Sequence, residues 1–276
     1  MKLLGARVII TGAAGGLGRQ TARLLAASGA RVVGLDVKDI ESVSDDIVHV
    51  KCDLTDSGAT DRALDLAIEH LGGVDILINN AGVLDLQDAA VRPAMGAHRS
   101  FEVNFWALWR TTSKVMPHLL RSSGKVINIA SLFAYVNAPL VPSYNASKRA
   151  VSAFSDSLRM QYGGKVTVTT LYPGFIDTDI HKDAVRQGLS VAKIIDIRPL
   201  GMRLLKMEEP VESAARGVVR ACRKNLRDAG TTALGTLSLW FARHTPAFVD
   251  AFLKARIGYL VKRGELRIDL DEPVVE

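Results

Sequence analysis

A tyrosine and a lysine four residues apart are the side chains of this sequence best suited to moving a proton. Tyr144 and Lys148 bound the segment Tyr144-Asn145-Ala146-Ser147-Lys148, and this spacing places both on one face of a helix. A free phenol has a pKa of about 10, too high for a base at neutral pH, but a neighbouring ammonium lowers that pKa. Ser131 is a hydroxyl donor that could steady charge on a substrate oxygen. Each residue taken alone has a simpler explanation, because such pairs are common on helices and serines often occupy turns or caps.

A glycine-rich turn near the start of the chain predicts a site for a pyrophosphate. The segment Thr11-Gly12-Ala13-Ala14-Gly15-Gly16-Leu17-Gly18 follows the apolar run Val8-Ile9-Ile10 and precedes a helical pattern. Glycine lets the backbone turn tightly and approach a ligand, and the amides at a helix start attract phosphate oxygens. On its own this signal is weak, because glycine turns are common after strands.

Strands and helices alternate along the first part of the chain. The strands are near-continuous apolar runs, which is typical of strands covered by helices on both faces. The alternation predicts an α/β fold with a doubly wound parallel sheet (a Rossmann fold, three layers α/β/α) and right-handed crossovers. The predicted strands are Arg7–Thr11, Arg31–Asp36, Val48–Cys52, Asp75–Asn79, Lys125–Ala130 and Lys165–Leu171, and the predicted helices are Gly16–Ser28, Ser57–Leu71, Arg99–Arg121 and Tyr144–Tyr162.

The regular alternation stops after Pro173. Residues 174–210 form a long connection of the kind that often serves as a lid. A helix is predicted from Val211 to about Asn225, a short final strand near Thr231–Leu234 and a helix over Ala247–Lys262. We therefore expect a catalytic and dinucleotide-binding domain over residues 1–228 and a C-terminal helical extension, residues 229–276, packed on it.

Composition excludes several classes of protein. The chain has 276 residues, 48% of them apolar, a net charge of +6 and a sequence pI of about 9.4. Its positive charges are dispersed among acids, so nucleic-acid binding is not expected. The two cysteines, Cys52 and Cys222, lack metal-ligand spacing and fit a reducing, cytoplasmic setting without a metal. No secretion signal is evident, and the longest uncharged stretch, Ala229–Ala242, is too short to span a bilayer.

The motifs, taken in order, resemble those of the short-chain dehydrogenase/reductase (SDR) superfamily in its compact single-domain form. The resemblance covers residues 5 to about 220, and the C-terminal portion matches only loosely. It implies an NAD(P)-dependent oxidoreductase that interconverts a secondary alcohol and a ketone by hydride transfer. The residues that carry it are Thr11-Gly12-xxx-Gly16-x-Gly18, Asp53-Leu54, Asn79-Asn80-Ala81-Gly82, Asn104, Ser131, Tyr144-xxx-Lys148 and Pro173-Gly174.

The resemblance also assigns the cofactor contacts. Asp36 ends the second predicted strand, where a carboxylate would accept hydrogen bonds from a ribose diol and repel a 2′-phosphate. NAD is therefore expected rather than NADP, although Lys38 could reach a phosphate. Asn79 and Asn80 could equally be structural amides that tie loops to the sheet. The residues implied to contact the cofactor are Gly12, Gly16, Leu17, Asp36, Asp53, Leu54, Asn80, Ala81, Gly82, Tyr144, Lys148, Pro173, Gly174, Ile176 and Thr178.

The same resemblance implies the catalytic roles. Tyr144 would be the acid/base, and Lys148 would lower the pKa of its phenol together with the oxidised nicotinamide and hold the nicotinamide ribose. Ser131 would hydrogen-bond the substrate oxygen. Asn104 resembles the residue that holds a water linking the lysine to solvent.

The substrate is expected to be a hydrophobic alcohol or ketone, such as a steroid, a retinoid or another lipophilic carbonyl, because the candidate pocket residues are mostly apolar. The alternatives are a catalytically inactive NAD-sensing or scaffold protein of the same fold, and an epimerase or dehydratase relative. A homodimer or homotetramer is expected, and C-terminal basic and aromatic residues could allow peripheral membrane contact. The candidate pocket residues are Leu132, Phe133, Tyr135, Val136, Leu140 and Val141 on one side, and Phe175, Ile180, His181 and Val185 on the other.

Overall fold

The computed structural model describes residues 1–39, 47–176 and 208–264, and within them strands and helices alternate as the sequence predicts. The strands are β1 (Arg7–Thr11), β2 (Arg31–Asp36), β3 (Ile47–Lys51), β4 (Ile76–Asn79), β5 (Lys125–Ile129), β6 (Thr167–Leu171), β7 (Phe175–Ile176), β8 (Glu208–Glu209) and β9 (Asp228–Ala229). The α-helices are α1 (Gly16–Ala26), α2 (Ser57–Leu71), α3 (Met95–Phe101), α4 (Ala107–Ser122), α5 (Pro142–Tyr162), α6 (Val211–Arg223), α7 (Ala233–His244) and α8 (Pro246–Lys262).

The central sheet is parallel throughout the part of the chain that the structure describes. Its strand order is β3-β2-β1-β4-β5-β6-β9. The direction of winding reverses between β1 and β4, and doubly wound sheets bind ligands in the crevice outside the carboxyl ends of the strands at such a reversal. A separate pair, β7 and β8, lies beyond β6. The α/β doubly wound fold predicted from the sequence is confirmed.

Helices cover both faces of the sheet, which explains why its strands are apolar at nearly every position. Successive strand residues point to opposite faces. Ile10 is therefore buried with Leu25 of α1 and Val218 of α6, whereas its neighbour Ile9 is buried on the other face with Leu64 of α2.

A third cluster joins the C-terminal helices to the segment that follows β5. Leu239 of α7 and Leu253 of α8 are buried against a group that includes Leu132 and Phe133. These two residues belong to a short 3₁₀ turn, Leu132–Ala134, directly after Ser131. The C-terminal helices thus pack against the segment in which the sequence analysis placed catalytic and substrate residues.

Two predicted elements differ from the structure by more than a shift of one or two residues at their ends. The final strand is β9, not Thr231–Leu234, because the Thr232 side chain accepts a hydrogen bond from the Gly235 amide and so caps the start of α7. The helix predicted over Arg99–Arg121 is divided by a π-helical turn, Glu102–Trp106, between α3 and α4. π-turns insert an extra residue into a helix and are frequent at functional sites.

Candidate active site

A cavity of about 390 Å³ opens at the carboxyl ends of the central strands. It brings together residues that are far apart in the sequence, including both members of the Tyr144–Lys148 pair. All the described residues expected to contact a cofactor line it, namely Gly12, Gly16, Leu17, Asp36, Asp53, Leu54, Asn80, Ala81, Gly82, Tyr144, Lys148, Pro173, Gly174 and Ile176. Thr178 lies outside the described residues.

The glycine turn brings the backbone close to β4. Gly12 has φ +69°, a conformation that favours glycine, and a Cβ there would lie 2.8 Å from Ala81 Cα. A Cβ at Gly18 would lie 2.1 Å from the Gly12 carbonyl oxygen, so this glycine lets α1 pack on the turn. The residue before α1, Gly15, provides no side-chain cap. The first amides of the helix therefore remain available for an anion such as a pyrophosphate.

Asp36 is held at the end of β2 by two backbone amides. Its Oδ2 accepts a hydrogen bond from the Ala14 amide at 2.8 Å, and its Oδ1 accepts one from the Lys38 amide at 3.0 Å. A carboxylate has about four acceptor positions, so both oxygens keep capacity for the hydroxyls of a ribose diol. Lys38 also lines the cavity, but its side chain is exposed.

Asp53 is stabilised as a carboxylate by Thr55. The Thr55 amide and hydroxyl both donate to Asp53 Oδ1, at 2.9 and 2.8 Å, and these hydrogen bonds lower the pKa of Asp53. The neighbouring Leu54 carbonyl is already occupied, since it accepts a hydrogen bond from Arg110 Nη2 at 2.9 Å. The second oxygen of Asp53 thus remains an acceptor on the wall of the cavity, suited to a donor such as an adenine amino group.

The two adjacent asparagines at the end of β4 have structural partners. Asn80 Nδ2 donates to the carbonyls of Thr11 and Gly12, at 3.0 and 3.1 Å, and so fixes the glycine turn to β4. Asn79 is buried and donates to Thr112 Oγ1 and Asn128 Oδ1. Asn80 therefore lines the cavity and also shapes it, whereas Asn79 ties the sheet to α4.

Tyr144 and Lys148 line the cavity, and both are buried, as is the neighbouring Ser131. Ser131 forms a hydrogen bond with the Tyr144 phenol. Lys148 Nζ lies 5.7 Å from the centroid of the Tyr144 ring and donates to the Ile129 carbonyl at 3.0 Å. An ammonium has three donors, so two remain for hydroxyls of a ligand in the cavity.

Burial moves the pKa values of this pair away from one another. It lowers the pKa of Lys148 to about 8 and raises the pKa of Tyr144 to about 12, partly offset by the hydrogen bond with Ser131. The reason is that both side chains are removed from water, which disfavours the charged form of each. In the protein alone burial determines the direction in which the pKa of Tyr144 moves, and the lowering expected from Lys148 together with an oxidised nicotinamide stays a prediction.

The side chain of Asn104 forms hydrogen bonds with neighbouring protein groups and does not line the cavity. It lies in the π-helical turn, where its Oδ1 accepts from the Val83 amide at 2.8 Å and its Nδ2 donates to the Val83 carbonyl at 2.9 Å. Nδ2 also donates to Ser147 Oγ at 2.9 Å. An amide so occupied has little capacity to hold a water, so the relay expected from the resemblance would have to use another atom of this residue.

Gly82 has a role that the sequence motif alone did not reveal. A Cβ at this position would lie 3.2 Å from Lys148 Nζ and 3.3 Å from Asn104 Oδ1. The missing side chain therefore gives Lys148 the space it occupies beside the π-helical turn. Other residues on the cavity wall that were not anticipated are Val37, Cys52, Val83, Leu84, Arg99, Val103, Ile129 and Ala130.

The expected substrate residues after Ser131 pack mainly into the C-terminal cluster. Leu132, Phe133, Val136 and Val141 are buried there, and the Tyr135 hydroxyl is taken up by hydrogen bonds to other side chains. Leu140 and Phe175 pack partly against the same cluster. The remaining candidates, Ile180, His181 and Val185, lie outside the described residues.

The described residues contain neither a cluster of metal ligands nor a helix that could span a membrane. Among them no group of three or more histidine, cysteine, aspartate or glutamate side chains could hold a metal ion. No helix in these segments is both long and apolar enough to cross a membrane.

Comparison with known proteins links this site to one family. A family model for short chain dehydrogenases matches residues 6–188. An "11-beta-hydroxysteroid dehydrogenase A" from Sesamum indicum is 27% identical over 94% of this chain and 76% of its own length. An "11-beta-hydroxysteroid dehydrogenase 1A" from Arabidopsis thaliana is 32% identical over 64% of this chain, and the match spans 54% of that relative's length.

Solved structures share the fold. A short chain dehydrogenase from Burkholderia cenocepacia J2315 in complex with NADP has a TM-score of 0.76 at 24% identity, covering 92% of this chain and 99% of the other. A 3-ketoacyl-(acyl-carrier-protein) reductase from Brucella melitensis, complexed with NADH, has a TM-score of 0.70 at 24% identity, covering 83% of this chain and 98% of the other.

Proposed function

Because the chain belongs to the short chain dehydrogenase family, we propose that it interconverts a secondary alcohol and a ketone by hydride transfer with a nicotinamide cofactor. The observation that carries this proposal is the burial of Tyr144 and Lys148 on one cavity, with the buried Ser131 beside Tyr144. A buried ammonium usually has a carboxylate partner, but Lys148 has only the Ile129 carbonyl among the described residues. Hydroxyls of a bound ribose would supply the missing acceptors.

The cofactor would lie along the cavity from the glycine turn to Lys148. Asp36 would accept from the adenosine ribose and Asp53 from the adenine. The helix amides at Gly16 and Leu17 would hold the pyrophosphate, since backbone donors at a helix start suit an anion. Pro173, Gly174, Ile176 and the undescribed Thr178 would contact the nicotinamide end. When the nicotinamide cofactor is bound in its reduced form, it supplies the hydride.

Tyr144 would supply the proton in ketone reduction. A phenol with a pKa of about 12 is protonated at neutral pH, so its Oη can donate a hydrogen bond to the carbonyl oxygen and then transfer its proton as that oxygen becomes an alcohol. Ser131 would donate a second hydrogen bond to the same oxygen. Lys148 would hold the ribose and place a positive charge near the phenolate that remains.

The preferred cofactor is proposed to be NAD. In the proposed binding mode the Asp36 carboxylate would face the adenosine ribose, and it would repel the 2′-phosphate of NADP, because like charges at close range repel. Lys38 is the side chain that would oppose this preference, because it also reaches the cavity.

The proposed substrate is a hydrophobic alcohol or ketone, such as a steroid, a retinoid or another lipophilic carbonyl. Support comes from the apolar side chains Leu84 and Ile176 on the cavity wall and from the hydroxysteroid dehydrogenase names of two relatives. The test is a turnover screen of secondary alcohols and ketones with NAD(H) and NADP(H). Turnover of lipophilic ketones with NADH supports the proposal. No turnover of any alcohol or ketone with either cofactor would overturn it.

Assembly as a homodimer or homotetramer is proposed through the outer faces of α4 and α5. Trp109 in α4 and Trp106, the last residue of the π-helical turn before it, are 46% and 47% exposed, with stacked rings whose centroids lie 6.0 Å apart. Exposed aromatic surface of this kind usually marks a protein contact.

The C-terminal extension is proposed to be a packed appendage of a catalytic domain over residues 1–228. Its buried residues Leu239 and Leu253 support this division. Its exposed residues Leu237, Trp240 and Phe248 are a candidate surface for peripheral membrane contact. The cytoplasmic location stays a prediction from the sequence.

A further inference from the structure

Arg243, in α7, connects the C-terminal helices to the carboxyl ends of the sheet. Its Nη2 donates to the hydroxyls of Tyr135 and Tyr172, both at 2.8 Å, and its Nη1 donates to Asp228 Oδ2 at 3.0 Å. The guanidinium carbon also lies 4.5 and 5.0 Å from the centroids of the two tyrosine rings. Only arginine combines a fixed fork of donors with a plane that stacks on aromatic rings.

Both tyrosines are close in sequence to residues of the active site. Tyr135 ends the 3₁₀ turn that begins after Ser131. Tyr172 directly precedes Pro173, which lines the cavity. The two segments are also joined to each other, because the Pro173 carbonyl accepts a hydrogen bond from the Leu132 amide at 2.9 Å.

The helix that carries Lys148 joins the same network. Ser152, one turn after Lys148 on α5, hydrogen-bonds the hydroxyls of Tyr135 and Tyr172, at 3.0 and 2.7 Å. The segments that present Ser131, Lys148 and Pro173 are thus cross-linked through two phenols. Arg243 is the contribution of the C-terminal helices to this junction.

The network lies largely away from water. Tyr172 is fully buried, and the side chains of Asp228 and Arg243 are 12% and 25% exposed. Hydrogen bonds in such surroundings hold their partners more firmly than surface bonds do, and removing one partner leaves the others unsatisfied. Burial alone would lower the pKa of Arg243, but its contacts with Tyr172 and Tyr135 and the ion pair with Asp228 outweigh burial and raise the pKa, so Arg243 remains a cation.

We propose that Arg243 is a positioning residue for the reaction at this site, fixing from the C-terminal extension the two segments that present Ser131 and Pro173. In the described structure it acts through Tyr135 and Tyr172. The inference rests on the proposed function, in that the segments it fixes are those that would contact substrate and nicotinamide.

The test compares Arg243→Gln with Arg159→Gln. Arg159 is a matched control, because its Nη2 binds the other oxygen of the same aspartate, Asp228 Oδ1, at 3.0 Å and contacts neither tyrosine in the described structure. We expect Arg243→Gln to lower kcat about tenfold and raise KM for the ketone, with the Kd for NADH within twofold of wild type. Arg159→Gln should lower the melting temperature while leaving kcat within twofold.

Amide hydrogen exchange gives a readout that does not need turnover. Arg243→Gln should speed exchange in peptides covering residues 131–140, and Arg159→Gln should not. If Arg243→Gln fails to fold, Tyr135→Phe replaces it as the test variant, because it keeps the ring and removes the hydroxyl that accepts from Arg243. Tyr135→Phe should lower kcat at least threefold.

Unchanged kcat in the folded variants, or equal exchange in all of them, would overturn the positioning role. If wild type turns over no alcohol or ketone, the proposed function fails, and the exchange measurement still decides whether Arg243 fixes the segment after Ser131.

Discussion

Lys148 lies beside the ring of Tyr144, 5.7 Å from Nζ to the ring centroid, yet its ammonium donates to the Ile129 carbonyl. The two side chains are buried together without a carboxylate to balance the lysine among the described residues. This arrangement is costly for the folded protein and useful for binding a ligand with hydroxyl groups. Sites of this kind commonly trade stability for function.

Replacing Lys148 with methionine should stabilise the protein and abolish turnover. A lysine with a pKa of about 8 in the folded state and about 10.4 when unfolded costs about 3 kcal/mol at pH 7. Loss of the hydrogen bond to Ile129 offsets about 1 kcal/mol of the gain. The melting temperature at pH 7 should therefore rise by about 5 °C, measured by calorimetry.

The difference in stability between wild type and the Lys148→Met variant should depend on pH. Between pH 8 and about pH 10 the unfolded lysine binds more protons than the folded one, so wild-type stability should rise with pH in this window relative to the variant. The gap in melting temperature between the two proteins should shrink accordingly. A gap that is constant from pH 7 to about pH 10 would contradict the assigned pKa.

Asp36 should set the choice of cofactor. Asp36→Ala combined with Val37→Arg removes the carboxylate and adds a cation, so the ratio of kcat/KM for NAD to that for NADP should fall at least a hundredfold, about 3 kcal/mol. Asp39→Ala is the control, since Asp39 is exposed and pairs with Lys51, and it should leave the ratio within twofold. Tighter binding of NADP than NAD by wild type would refute the role given to Asp36.

Gly82→Ala should impair the reaction without unfolding the protein. The added Cβ would lie 3.2 Å from Lys148 Nζ, so the ammonium must shift by a few tenths of an ångström. Small misplacements of catalytic groups cost up to about a hundredfold in rate, and we expect kcat to fall about tenfold in steady-state assays.

Gly258→Ala is the control for that substitution, because nothing lies within 4 Å of a Cβ at Gly258 in α8. Alanine in a helix interior should stabilise it by about 0.5–1 kcal/mol and leave kcat unchanged. Equal kcat values for Gly82→Ala and Gly258→Ala would contradict the proposed steric role of Gly82.

The aromatic surface of α4 should mediate assembly. Trp106→Ser with Trp109→Ser should convert an oligomer to a monomer in light scattering at about 50 μM protein, since aromatic residues dominate interface energetics. Leu66→Ser is a control on α2, where Leu66 is 57% exposed, and it should leave the mass unchanged. A monomeric wild type at this concentration would show that these tryptophans serve another purpose.

The sequence was sufficient to predict the sheet and most of the cavity wall, because those features depend on local signals. Glycines after an apolar run and polar residues at strand ends predict a ligand crevice at the carboxyl edge of a parallel sheet, and the described residues so identified lie there. Thr231–Leu234 was assigned wrongly, since the Thr232 cap favours a helix start and no periodicity reveals it.

Long-range contacts account for what the sequence did not reveal. The pKa of Tyr144 is raised because residues distant in sequence bury its side chain, whereas the spacing to Lys148 suggested that the pKa would be lowered. The Asn104 amide is occupied by Val83, which lies 21 positions away in the sequence. No sequence motif indicated the contacts of Arg243, because its partners Tyr135 and Tyr172 come from separate segments of the chain.

The most direct test of the account is single-turnover reduction of a verified ketone by Tyr144→Phe. Tyr162→Phe, at the far end of the same helix, is the control. The account predicts that Tyr144→Phe binds NADH with a Kd within threefold of wild type and transfers hydride at least 10²-fold more slowly, the usual loss for a general acid, while Tyr162→Phe is unchanged. Hydride transfer by Tyr144→Phe at the wild-type rate would contradict the assignment of Tyr144 as the proton donor.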